Sequence, residues 1–71
     1  MTREAKRELA LAYNETVRLH EASYNKTSDT YGLSWDSAAR GACLDKDLVP
    51  LVYAMAASGY ADYAEWALQY D

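Results

Sequence analysis

The chain of 71 residues has no phenylalanine, one cysteine, one proline, one histidine and only three glycines. About half of it is apolar, but much of that half is alanine and tyrosine. Without phenylalanine, the core has to come from Leu9, Leu11, Val17, Leu19, Leu33, Leu44, Leu48, Val49, Leu51, Val52 and Leu68, with Met55, Trp35 and Trp66. The single Cys43 excludes a disulfide within the chain and a cysteine-rich zinc site, and suits a reducing compartment. Gly32, Gly41 and Gly59 are scattered, so no glycine-rich phosphate cradle can form. The longest apolar run, Leu48 to Ala57, is about half the ~20 residues of a membrane span.

Basic side chains are missing from the second half beyond Lys46. Residues 1–28 carry five basic and four acidic residues, whereas residues 29–71 carry two basic and seven acidic. The net charge of −4 runs against a protein that gains affinity by pairing Lys and Arg with phosphates. The first eight residues are charged and lack the apolar stretch of a secretory signal, so a cytoplasmic protein is expected. The length corresponds to a single helical domain, residues 1–71, near the lower limit for a core without staples. Self-association is one remedy for so small a core.

Four helices and no sheet are expected, an all-α bundle with one long N-terminal helix and three shorter ones. Thr2 is an N-cap for a helix running to about Tyr24, with Ala5, Leu9, Ala12, Thr16, Leu19 and Ser23 on one face. Tyr13, Val17, His20 and Tyr24 widen that face, and Leu11 falls on the charged side instead. Glu15 and Arg18 are spaced to pair across one turn. Residues 25–32 are polar and without period, which predicts the main loop. Ser34 caps a second helix from Trp35 to Leu44, weakened by Gly41. Asp47 caps a third, Leu48 to Ser58, with Pro50 in the first turn. Its apolar circumference predicts the most buried element. Gly59 ends it, and Tyr60 to Tyr70 forms the fourth helix, with Asp62, Glu65 and Gln69 on one stripe and Tyr63, Trp66 and Tyr70 on another.

No constellation for catalysis, cofactor binding or metal ligation emerges. His20 falls within an apolar face, where a structural histidine with its nitrogens satisfied by a hydroxyl or backbone group is expected. Cys43 sits between Ala42 and Leu44 and reads as a small hydrophobe. Asp45-Lys46-Asp47 lacks the further oxygen ligands, central glycine and closing glutamate of a calcium loop, and reads as a capping turn. The seven tyrosines and two tryptophans are the informative feature, because such rings are enriched at protein interfaces.

The expectation is therefore a small acidic non-enzymatic binding protein, an inhibitor or adaptor facing a basic or nucleic-acid-binding protein. The partner-binding residues assigned to it are Asp62, Glu65, Gln69, Tyr63, Trp66 and Tyr70. Direct contact with nucleic acid or membrane is not expected. In size, charge and lack of catalytic chemistry, though in no motif, the chain resembles the compact acidic anti-defence proteins of phages and plasmids. Those include anti-CRISPR and anti-restriction inhibitors, and the resemblance implies an acidic surface competing for a site built to hold phosphates. The alternative is a structural or regulatory homodimer packed through alanine-rich helices. A helical DNA-binding domain would need a basic recognition helix, and Arg3, Lys6 and Arg7 are interleaved with Glu4 and Glu8.

Overall fold

The computed structural model describes residues 2–58, and the fourth helix expected over Tyr60–Tyr70 lies outside them. The first helix, α1, spans Arg3–Ala22. Thr2 is extended and its hydroxyl accepts from the Ala5 N–H at 3.1 Å, which satisfies one orphan donor of the first turn. No Gly or Pro interrupts the following twenty residues. The helix ends at Ser23, whose N–H bonds to the Leu19 and His20 carbonyls and whose hydroxyl donates to the His20 carbonyl at 2.7 Å.

The expectation of no sheet is corrected here. Residues 24–31 fold back as an antiparallel hairpin, β1 (Tyr24–Asn25) and β2 (Thr30–Tyr31), with Tyr24 opposite Tyr31 and Asn25 opposite Thr30. Two-residue strands are too short to show an alternating pattern, so periodicity could not find them. The hairpin is instead specified at its turn. Asn25 Oδ1 accepts from the N–H groups of Thr27 and Ser28 at 2.9 and 3.3 Å, and Asp29 takes a left-handed φ of 53°. Gly32 donates to the Ser23 carbonyl at 2.8 Å, where an added Cβ would come within 3.4 Å of that oxygen. The hairpin is thus held against the end of α1.

Helix α2 spans Trp35–Ala42, with the Ser34 hydroxyl accepting from the Ser37 N–H at 3.1 Å. A turn of 3-10 helix, Lys46–Leu48, then leads into α3, Val49–Ala57. The expected cap is displaced by two residues: Asp45, not Asp47, is extended and accepts, from the Asp47 N–H at 2.9 Å. Its carboxylate starts the 3-10 turn, and α3 continues from that turn with no side-chain cap of its own.

The core joins Leu9, Ala12 and Tyr13 of α1 to Ala39 and Cys43 and to Val49, Val52 and Met55 of α3. Val17, Trp35 and Leu48 border it. Helix α1 packs most extensively on α2, where Ala12, Ala38 and Ala39 are small enough to let the backbones approach. Thr16 is fully buried because its hydroxyl is satisfied by the Ala12 carbonyl at 2.7 Å. Helix α3 departs from the expected all-round burial. Val52 is fully buried, but Leu51 and Tyr53 are 37% and 39% exposed. Its buried residues, Val49, Val52 and Met55, form one stripe at a spacing of three, so α3 is covered from one side by α1 and α2.

Candidate functional site

The described residues form a cleft of about 330 Å³ between α1 and the α2–α3 connection. Helix α1 contributes Glu8, Leu11, Ala12 and Glu15, a single stripe at the three-and-four spacing of an α-helix. Ala42, Leu44 and Leu48 form the opposite wall. Leu11, which the helical pattern leaves on the charged side, is half exposed here.

Leu44 is 97% exposed, and local geometry explains why. After α2 ends, Cys43 adopts an extended conformation (φ −89°, ψ 117°), so consecutive side chains point in opposite directions. Cys43 turns inward and is 3% exposed, and Leu44 turns out. The segment is held at both ends. The Lys46 ammonium donates to the Arg40 carbonyl, one of the unpaired acceptors at the end of α2, and Asp45 caps the turn that follows. Burying the neighbouring thiol therefore costs the chain an exposed leucine.

The cleft is rimmed by carboxylates. Among the described residues Glu8 has no ion-pair partner, and no Lys or Arg lines the wall. Glu15 receives a two-pronged interaction from Arg18, with Nε to Oε2 at 3.0 Å and the second contact from Nη2 to Oε1. The hydrogen bond from Arg18 lowers the Glu15 carboxyl below its ordinary range and correspondingly raises the guanidinium. Arg18 is largely exposed and Glu15 half-buried, so solvent reaches the pair and leaves it open to exchange.

A second feature is a run of rings. Trp35 meets Tyr13 edge-on at 6.2 Å and His20 edge-on at 5.7 Å, His20 stacks on Tyr31, and Tyr31 tilts against Tyr24 at 5.1 Å. The Tyr24 hydroxyl donates to Asp29 at the hairpin turn, which raises the phenol above its ordinary value. The contacts described for the His20 ring are with Tyr31 and Trp35, not with the hydroxyl or backbone group expected to satisfy its nitrogens. Trp35 Nε1 is buried and has no hydrogen-bond partner among the described residues. A third group lies on the outer faces of α2 and α3, where Asp36 accepts from Arg40 Nε at 2.7 Å and from the Tyr53 hydroxyl at 2.8 Å.

The six residues expected to bind a partner, Asp62, Glu65, Gln69, Tyr63, Trp66 and Tyr70, lie outside the described residues. Cys43 is buried as a small hydrophobe, and that burial raises its thiol above the ordinary value. Among the described residues no three His, Cys, Asp or Glu side chains come together as metal ligands, and no helix is long and apolar enough to cross a membrane. The cleft itself escaped sequence reasoning. Its two signals were the misplaced Leu11 and a leucine set immediately before Asp45-Lys46-Asp47.

No protein family, curated protein or solved structure matches the chain.

Proposed function

We propose that the chain is a non-enzymatic binding protein, an inhibitor or adaptor that presents an acidic and partly apolar helical surface to a basic protein partner. One observation carries the reading: Leu44 stands 97% exposed at the lip of a cleft that it shares with the half-exposed Leu11. A leucine held in water by its own backbone is unfavourable in the free protein, and apolar patches rimmed by polar groups mark interaction sites. The chemistry-bearing side chains support the same reading. The single histidine is engaged between rings, and the single cysteine is buried with its thiol raised. A buried free thiol also fits a reducing cytoplasm. The acidic and aromatic residues Asp62, Glu65, Gln69, Tyr63, Trp66 and Tyr70 belong to this proposal as a further part of the surface.

Where the partner normally holds nucleic acid, an acidic surface of this kind acts by occupying the phosphate site. The test is recovery of tagged protein from its native host under gentle lysis, with the mass of the recovered species measured. A stoichiometric basic protein, lost when Leu44→Glu is used as bait, is the expected result. Recovery of the chain alone at every salt concentration contradicts the reading.

A further inference from the structure

Resting on that reading, we infer that the cleft between α1 and the α2–α3 connection receives one large apolar side chain from a partner helix, flanked on that helix by two basic residues. The inference starts from the spacing of the acids. Glu8 and Glu15 both line the cleft, with Leu11 between them. Seven residues apart on a helix is two turns, a rise of about 10 Å. A partner helix laid along α1 matches this with cations at positions i and i+7 and its apolar side chain at i+3 or i+4, all on one face.

Charge complementarity selects this occupant over an uncharged or acidic one. Among the described residues the lining side chains are carboxylate or apolar, and in sequence Asp45 and Asp47 fall between Leu44 and Leu48 of the opposite wall. The one basic side chain there, Lys46, is turned back onto the Arg40 carbonyl. Arg18 already occupies Glu15, but as an exposed pair it can be replaced by a partner's cation at little cost. Glu8 has no ion pair to give up among the described residues. The volume, about 330 Å³, is at the small end of binding cavities and suits a side chain rather than a folded domain.

The full chain, labelled with ¹⁵N, can be titrated with an alanine-based helical peptide carrying one leucine, with lysines three residues before and four after it. A second peptide has glutamates in place of the lysines. The lysine peptide is expected to shift the amides of residues 8–15 and 42–48 and to bind at least about tenfold more tightly than its acidic counterpart. Added salt should weaken it, and Glu8→Gln with Glu15→Gln should narrow the gap between the peptides. Leu44→Ala should weaken the lysine peptide by about tenfold. Because Leu44 is 97% exposed, that variant keeps the fold, which an unchanged amide spectrum elsewhere verifies. Equal affinity for the two peptides, no binding of either, or unchanged binding by Leu44→Ala overturns the inference. A dimer that Leu44→Ala dissociates in the absence of peptide also overturns it, by making a second copy the occupant. None of these results bears on whether the chain binds a protein, which recovery from the host decides separately.

Discussion

The imidazole of His20 lies 3.9 Å from the ring of Tyr31 and within 9° of parallel to it. His20 is near the end of α1 and Tyr31 is the second residue of β2, so this stack fastens the hairpin to the helix it follows. Trp35, the first residue of α2, meets the His20 ring edge-on. One histidine therefore links α1, β2 and α2 through ring contacts.

Replacing His20 with Gln removes both ring contacts while leaving the helix intact. The expected loss is about 1 kcal/mol of stability, in the range for an aromatic pair, read as a lowered midpoint in urea. Binding at the Leu44 cleft should be unaffected, because His20 does not line it. A folded His20→Gln protein that fails to bind partner would move the site to the ring cluster.

Helix α3 offers a test by contrast. Val52 is fully buried, and truncation to Ala should cost about 2 kcal/mol, combining lost transfer energy with a cavity. Leu51 is more than a third exposed, and Leu51→Ala should cost less than about 1 kcal/mol despite removing more carbon. Thermal melts of the two variants decide the orientation of α3. The reverse order would mean that its outer face is the buried one.

Asp36 is held below the usual carboxylate range, first by the hydrogen bond from Arg40 and then by that from Tyr53. A carboxyl with a depressed folded-state value contributes stability above its ordinary value of 3.8, and that contribution fades as pH falls through the lower folded value. Carboxyl titration by NMR should therefore show Asp36 moving upward in Tyr53→Phe and further in Arg40→Gln. An unchanged titration in both variants would show that the three side chains do not interact in solution.

Cys43 has the opposite sign. Burial raises its thiol above the ordinary value of 9.0, so folding favours the neutral form. Its contribution is complete below that value and declines as pH rises through the higher folded value. A small alkylating reagent at neutral pH should react with the folded chain at least about tenfold more slowly than with the chain in urea. Equal rates would place the thiol at the surface.

The start of α1, the start of α2 and the apolar face of α1 were legible in the sequence because each depends on near neighbours. Thr2 and Ser34 cap their helices through N–H groups three residues on, and the Glu15–Arg18 pair spans a single turn. Ala10, absent from the predicted face, is fully buried all the same, since a small side chain at its edge is covered by whatever packs beside it.

What tertiary structure alone decided lies where two segments meet. The hairpin's turn is set locally by Asn25 and Asp29, but its strands form only where Tyr24 and Tyr31 pair across it, and four strand residues carry too little pattern to announce them. Capping fell to Asp45 rather than Asp47 because the chain enters α3 through a 3-10 turn. The sequence determined that α3 is apolar, but which side is buried depended on where α1 and α2 lie. Leu44 is the sharpest case. Composition makes it a core residue, but its neighbour Cys43 takes the inward position, and an extended backbone cannot turn both side chains to the same side.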